Sequence, residues 1–102
     1  MENQEFIDPQ LFCAHHKIEY AFICALQQSG LIEMTTVEEK TFIPLSELQR
    51  AEQFTRMHYE MDINLEGIEA IAALLERITS LQKEAIILRN RLRIYEQETK
   101  NK

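Results

Sequence analysis

The sequence predicts a mostly helical protein with a small folded part followed by one long helix. The chain has 102 residues, of which 45% are hydrophobic and 27% are charged, and this composition is typical of globular proteins. Only two glycines and two prolines are present, which favours long helices over a turn-rich β fold. The last third carries a continuous apolar repeat with helical spacing. We therefore divide the chain into a part at residues 1–62 and a helix at residues 63–102.

Two short helices are predicted near the amino terminus. Asp8 and Pro9 begin the first, because an aspartate caps free N–H groups and a proline fits the first helical position. We expect Leu11 and Phe12 to be its buried residues, and its end to lie at about residues 15–17.

The second helix is predicted from about residue 18 to residue 29. Gly30 ends it, because glycine readily adopts the left-handed backbone conformation found after many helices. Tyr20, Ile23 and Leu26 or Gln27 repeat at helical spacing and form its predicted buried face, and Phe22 lies alongside them.

A hairpin and a third helix follow in the prediction. Residues 31–34 and 41–43 are rich in β-favouring side chains, and residues 35–40 between them form the predicted turn. Ser46 followed by Gln49 resembles a capping box, so the third helix is predicted from there to about residue 61. Its expected buried face consists of Leu48, Ala51, Phe54, Met57 or His58, and Met61.

The long helix carries the clearest pattern in the sequence. Asn64 is its predicted cap, and the region up to about Glu98 contains no proline and only one glycine, Gly67. Apolar residues alternate at spacings of three and four, as the a and d positions of a heptad repeat do. These residues are Ile71, Leu74, Ile78, Leu81, Ala85, Leu88, Leu92 and Tyr95.

Such a stripe needs a partner along its length. The helix could fold back on its own domain, but it is longer than the small body available, so we expect a homodimer with this stripe as the interface. With Ile71 at position a, Glu84 meets Arg89 in a parallel pair and Arg91 in an antiparallel pair. Both arrangements are attractive, so the orientation of the pair stays open.

The net charge of −6 lies entirely on the first part of the chain. Residues 1–60 carry ten acidic and four basic side chains, and residues 61–102 carry seven of each. An acidic surface repels phosphate and suits a basic protein partner. The amino terminus shows no basic and apolar leader pattern, and no apolar stretch is long enough to span a membrane. We therefore expect a cytoplasmic protein with no membrane partner.

No catalytic motif is present, so we expect no enzyme activity, no catalytic residue and no cofactor. The alternative of a metal site rests on Cys13, His15, His16 and Cys24. These residues lack the closely spaced pairs of ligands typical of metal sites. We therefore predict no metal site and interpret the cysteines as packing residues with reduced thiols.

The order of these parts resembles the MerR-like winged-helix superfamily. Residues 30–32, Gly-Leu-Ile, stand where that family passes from helix to wing, and residues 62–68 resemble its entry into the following helix. Within the superfamily the chain resembles the CbpM chaperone modulators, which end in a leucine-rich helix similar to residues 81–92. The resemblance implies a degenerate MerR-like winged helix with a small β-hairpin, followed by a long C-terminal coiled-coil helix.

The resemblance to CbpM also implies a function, namely binding and inhibition of the J domain of a CbpA/DnaJ-type co-chaperone. J domains present a basic helix, which acidic side chains of the first part could contact. The candidate partner-binding residues are Glu33, Glu38, Glu39, Glu47 and Glu52.

The alternative is a MerR-type DNA-binding transcriptional regulator. Phosphate contacts supply most of the non-specific affinity for DNA, and they require basic side chains. The second helix has one basic residue, Lys17, at its entry, and the predicted wing has Lys40 against three glutamates. DNA binding is therefore disfavoured.

Overall fold

Helices account for most of the residues that the computed structural model describes, which are residues 5–100. The mostly helical fold class with a small hairpin and a long last helix is confirmed. The elements are β1 (Phe6–Ile7), α1 (Pro9–His16), α2 (Tyr20–Gln28), β2 (Thr35–Val37), β3 (Lys40–Pro44), α3 (Leu48–Tyr59) and α4 (Leu65–Lys100). The chain forms two compact units, one up to Ala70 and the other from Ile71.

Helix α1 begins as its sequence predicts. The Asp8 carboxylate accepts a hydrogen bond of 2.9 Å from the backbone N–H of Gln10, and Pro9 occupies the first helical position. Lys17 then adopts the left-handed conformation, with φ of 58°. This turn lets the chain enter α2 after only three residues, which is a spacing typical of helix-turn-helix units.

Helix α2 ends in a Schellman motif built around Gly30. The backbone N–H of Gly30 donates to the carbonyl of Gln27, and that of Leu31 donates to the carbonyl of Leu26. Gly30 has φ of 80°, as predicted for a residue that ends a helix in the left-handed conformation. Leu26 and Leu31 are both buried, and such an apolar pair commonly accompanies this motif.

The sheet differs from the prediction in two ways. The first hairpin strand is Thr35–Val37, not residues 31–34, and the turn contains only Glu38 and Glu39. Leu31 and Ile32 are buried without joining a strand, because the Schellman motif brings the chain directly from α2 into the core. A third strand, β1, was not predicted, and it pairs antiparallel with β3 to give the order β1-β3-β2.

Helix α3 begins differently from the prediction. A 3₁₀ turn at Leu45–Glu47 leads directly into α3, so Ser46 lies inside helical winding and the predicted capping box is wrong. Helix α3 buries Ala51, Phe54 and Met57 as predicted, and the hydroxyl of buried Thr55 donates to the Ala51 carbonyl.

Two other expectations for burial in the first unit are wrong at the ends of their helices. Met61 is exposed because α3 ends at Tyr59. Tyr20 is exposed because it stands at the first position of α2.

An aromatic cluster fixes the passage from α3 to α4. His58 stacks on Phe22 with ring centroids 4.7 Å apart, and its Nδ1 lies 2.9 Å from the carbonyl oxygen of Ile63. Asn64 then caps α4 as predicted, accepting a hydrogen bond from the N–H of Gly67. The core of the first unit, which this passage closes, is centred on fully buried side chains: Ile23, Leu26, Ile32, Ile43 and Ile68.

Candidate functional site

The helix-turn-helix unit lacks the charges of a DNA-reading surface. In such units the second helix enters the major groove, while basic side chains contact phosphates. Helix α2, with the sequence YAFICALQQ, has no charged residue. Gln27 and Gln28 are exposed and could contact a base edge, but only Lys17 near the start of the helix could neutralise a phosphate.

The hairpin turn that corresponds to a wing is acidic. Glu38 and Glu39 are exposed at its tip, with φ of 52° and 69°. Two consecutive positive φ values are those of a type I′ turn, which matches the twist of the flanking strands. Lys40 is the only basic residue of β2, the turn and β3. The tip of the hairpin therefore presents two carboxylates to whatever approaches it.

The five predicted partner-binding glutamates occupy three places in the first unit. Glu47 accepts a 2.9 Å hydrogen bond from the backbone N–H of Glu33, so these two lie together. Glu38 and Glu39 form the hairpin turn. Glu52 lies on α3, with its carboxylate 3.6 Å from Nε2 of His16. Their role in binding stays a prediction.

The heptad stripe lies on the second unit and is bare in the single chain. Its large residues from Leu74 to Tyr95 are between 49% and 67% exposed, Ala85 is exposed, and Ile71 is partly buried. Contiguous exposed apolar surface of this kind usually marks an interaction site. Its use as a dimer interface stays a prediction.

A groove between α1 and α3 was not foreseen from the sequence. Its volume is about 280 Å³, and Leu11 in its wall is 67% exposed, although the sequence predicted Leu11 as buried. Adjacent helical residues point about 100° apart, so when Phe12 faces the core its neighbour need not. The residues lining the groove include Ile7, Leu11, Phe12, His15, Leu48 and Glu52.

The four residues considered for a metal site differ in burial: Cys13 is buried, Cys24 and His16 are partly buried, and His15 is exposed. Burial, with a smaller contribution from the Cys24 thiol, raises the pKa of the Cys13 thiol. A raised pKa keeps the sulfur protonated, which disfavours both metal binding and nucleophilic attack. Within residues 5–100 no three His, Cys, Asp or Glu side chains are grouped to hold a metal ion. His16 instead pairs with Glu52.

None of the helices between residues 5 and 100 has both the length and the apolar character that crossing a membrane requires. Helix α4 has the length, but its sequence is interrupted by charged residues throughout.

Comparison with known proteins identifies the family. A family model described as MerR HTH family regulatory protein matches residues 7–90. This range begins within β1, includes the helix-turn-helix unit, the hairpin and α3, and ends well inside α4. No curated protein and no solved structure matches the chain. Because the family model covers most of the sequence, the chain belongs to the MerR HTH family of regulatory proteins.

Proposed function

We propose that this MerR-family regulator acts by binding a protein and not DNA. Its partner is the J domain of a CbpA/DnaJ-type co-chaperone, and its effect is to inhibit that co-chaperone in the cytoplasm, without catalysis. The choice of partner follows from the resemblance to the CbpM chaperone modulators. The family match supports the broader statement that the chain is a regulator.

The observation that carries the proposal is the absence of charge on α2 combined with the acidic hairpin turn. A helix-turn-helix protein needs several phosphate contacts, because they supply the sequence-independent part of its affinity. Here the helix that would enter the groove is uncharged, and Glu38 and Glu39 project from the turn that would approach the backbone. This arrangement disfavours a phosphate surface, and the excess of acidic side chains in residues 1–60 as a whole favours a basic protein partner.

The second unit supports a dimeric form of the regulator. The exposed apolar stripe from Leu74 to Tyr95 repeats with the spacing of a coiled-coil seam, and a second copy of the same helix would cover it. A dimer would carry two copies of the acidic first unit. The proposed assembly is therefore a homodimer that can engage two J domains.

The test is a calorimetric titration of the full chain with a purified CbpA-type J domain at low and at high salt. We expect binding that weakens as salt rises, since charge attraction between exposed groups is screened. Glu-to-Lys variants at the five predicted positions should include some that weaken binding. Glu76→Lys is the matched control, because Glu76 is an exposed glutamate of α4 outside the predicted surface.

A functional measurement accompanies the titration. Adding the chain should reduce the co-chaperone's stimulation of the ATPase activity of its DnaK partner, and a variant that does not bind should not reduce it. Absence of binding at both salt concentrations would refute the proposal for this partner. Tight, salt-dependent binding to duplex DNA in the same buffers would favour a DNA-binding regulator instead.

A further inference from the structure

The groove between α1 and α3 combines apolar walls with one carboxylate. Leu11 and His15 stand one turn apart on α1, and Leu48 and Glu52 stand one turn apart on α3. Single exposed leucines are common on protein surfaces and need no explanation. Leu11 differs because it lines a concavity together with the partly buried side chains of Ile7 and Leu48.

The size of the groove indicates what kind of group it can hold. Pockets for small molecules have volumes of roughly 300–1,000 Å³ and enclose most of the ligand. This groove has about 280 Å³, is open to solvent, and extends for about one helical turn along each wall. It is therefore better suited to one or two side chains of a protein partner than to a free small molecule.

The carboxylate in the groove indicates that the partner's side chain carries a positive charge. Glu52 is only partly exposed, and among residues 5–100 its ion pair is with an imidazole, that of His16, at 3.6 Å. An arginine or lysine carries a permanent positive charge and would form a charge-assisted hydrogen bond with this carboxylate. Arg56 lies one turn further along α3 but forms no ion pair with Glu52.

We propose that this groove is where the J domain binds, a location that rests on the proposed function above. One apolar side chain of the partner's basic helix packs between Leu11 and Leu48. A lysine or arginine one turn away on that helix pairs with Glu52. This is the helix-in-groove mode of recognition, in which anchors at i and i+3 or i+4 are read together. It assigns Glu52 to the interface and leaves the hairpin glutamates outside it.

The test compares two variants and two matched controls by calorimetry with the purified J domain. Leu11→Ser removes the apolar contact, and Glu52→Lys reverses the charge. Met61→Ser is the control for the first, because Met61 is 60% exposed and lies outside the groove. Glu60→Lys is the control for the second, since it changes the net charge equally near the exposed end of α3. All four side chains are at least partly exposed, so circular dichroism should show folded proteins.

We expect Leu11→Ser and Glu52→Lys each to weaken binding at least about tenfold. The loss in Leu11→Ser should persist at high salt, whereas the loss in Glu52→Lys should shrink as salt screens the charges. Both controls should stay within about twofold of the unmodified chain. Loss of binding in Glu38→Lys or Glu39→Lys, with both groove variants unaffected, would overturn the groove and keep the proposed function. No binding by the unmodified chain would overturn both.

Discussion

Leu26 and Leu88 lie in helices of the same chain and in opposite surroundings. Leu26 is 0% exposed in the first unit, and Leu88 is 59% exposed in the second. The same contrast holds more widely, because the first unit has a centre of fully buried isoleucines while the stripe on the second faces solvent. Burying an apolar side chain stabilises a protein by about 1.5–3 kcal/mol, so the two units do not have the same source of stability.

From this contrast we expect the first unit to be stable alone and the second to need a partner. From Ile71 to Lys100 the helix rises about 45 Å at 1.5 Å per residue. Most helical stability in proteins comes from the packing of an apolar face against a neighbouring element. We therefore expect the helix to provide an interface, and the first unit to provide the folded body that the proposed function requires.

The largest expected effect comes from placing a charge in the stripe. Leu81→Asp or Leu88→Asp would bury two carboxylates in each dimer, and burying an unpaired charge is costly. We expect the dissociation constant of the dimer to rise at least about a thousandfold, equivalent to about 4 kcal/mol. Sedimentation should then show monomers, and circular dichroism should show a first unit that is still folded.

Ile87→Asp is the matched control for the stripe. Ile87 and Leu81 are both 51% exposed in the single chain, and the substitution has a similar cost in helix propensity at either position. Ile87 lies at position c of the heptad, away from the seam. The Ile87→Asp variant should therefore stay dimeric. Dimers in both leucine variants, or monomers in the Ile87 variant as well, would place the interface on another face.

A second pair of variants compares the two units by stability. Leu26→Ala should lower the free energy of unfolding by about 2–5 kcal/mol, because it leaves a cavity in the core. That loss should be the same at every protein concentration. Leu88→Ala should lower stability only where the unmodified chain is dimeric, since only the partner buries it. Chemical unfolding at two protein concentrations measures both effects. A loss in Leu88→Ala that does not depend on protein concentration would contradict the expectation that a partner chain buries Leu88.

The parts of the fold that follow from local chemistry could be predicted from the sequence. Asp8 with Pro9, Gly30 and Asn64 each mark a helix end, because a side-chain acceptor or a left-handed backbone is required there. The length of α4 followed from the absence of proline. These four features depend on a few neighbouring residues, and the structure confirms them. The capping box at Ser46 was an equally local prediction, and it is wrong because a 3₁₀ turn leads into α3.

The errors in the sheet arose where tertiary contacts decide the local structure. Leu31 and Ile32 have β-favouring side chains, but burial after the Schellman motif determines their conformation. Strand β1 has only two residues and exists through its pairing with β3, which no short pattern signals. The groove could not be predicted from the sequence for the same reason. It forms only when α1 and α3 lie side by side, and Leu11 lies far in sequence from Glu52.

The hairpin turn lies within the predicted range of residues 35–40, but its two central residues were not identified, for a different reason. Type I′ turns are usually marked by Asn-Gly or Asp-Gly, because both central residues need positive φ. Here the positions hold Glu38 and Glu39, which adopt that conformation at a cost. Residues that adopt positive φ more easily at these two positions should therefore make the folded protein more stable.

The smallest expected effect tests this turn. Replacing Glu38 by Asn and Glu39 by Gly together should raise the free energy of unfolding by about 1 kcal/mol, since both residues tolerate positive φ better. For a domain of this size, that gain corresponds to a rise in melting temperature of roughly 4–8 °C. Thermal unfolding followed by circular dichroism measures it.

Glu33→Asn is the control for the turn, because it removes one acidic charge from a nearby exposed residue whose φ is not positive. It should leave the melting temperature almost unchanged. A gain in the control of about half that of the double variant, which removes two charges, would attribute the effect to reduced charge repulsion and not to the turn. The double variant also separates stability from binding. If the J domain lies in the groove beside Glu52, the stabilised protein should bind it nearly as well as the original chain, despite having lost two carboxylates at the hairpin.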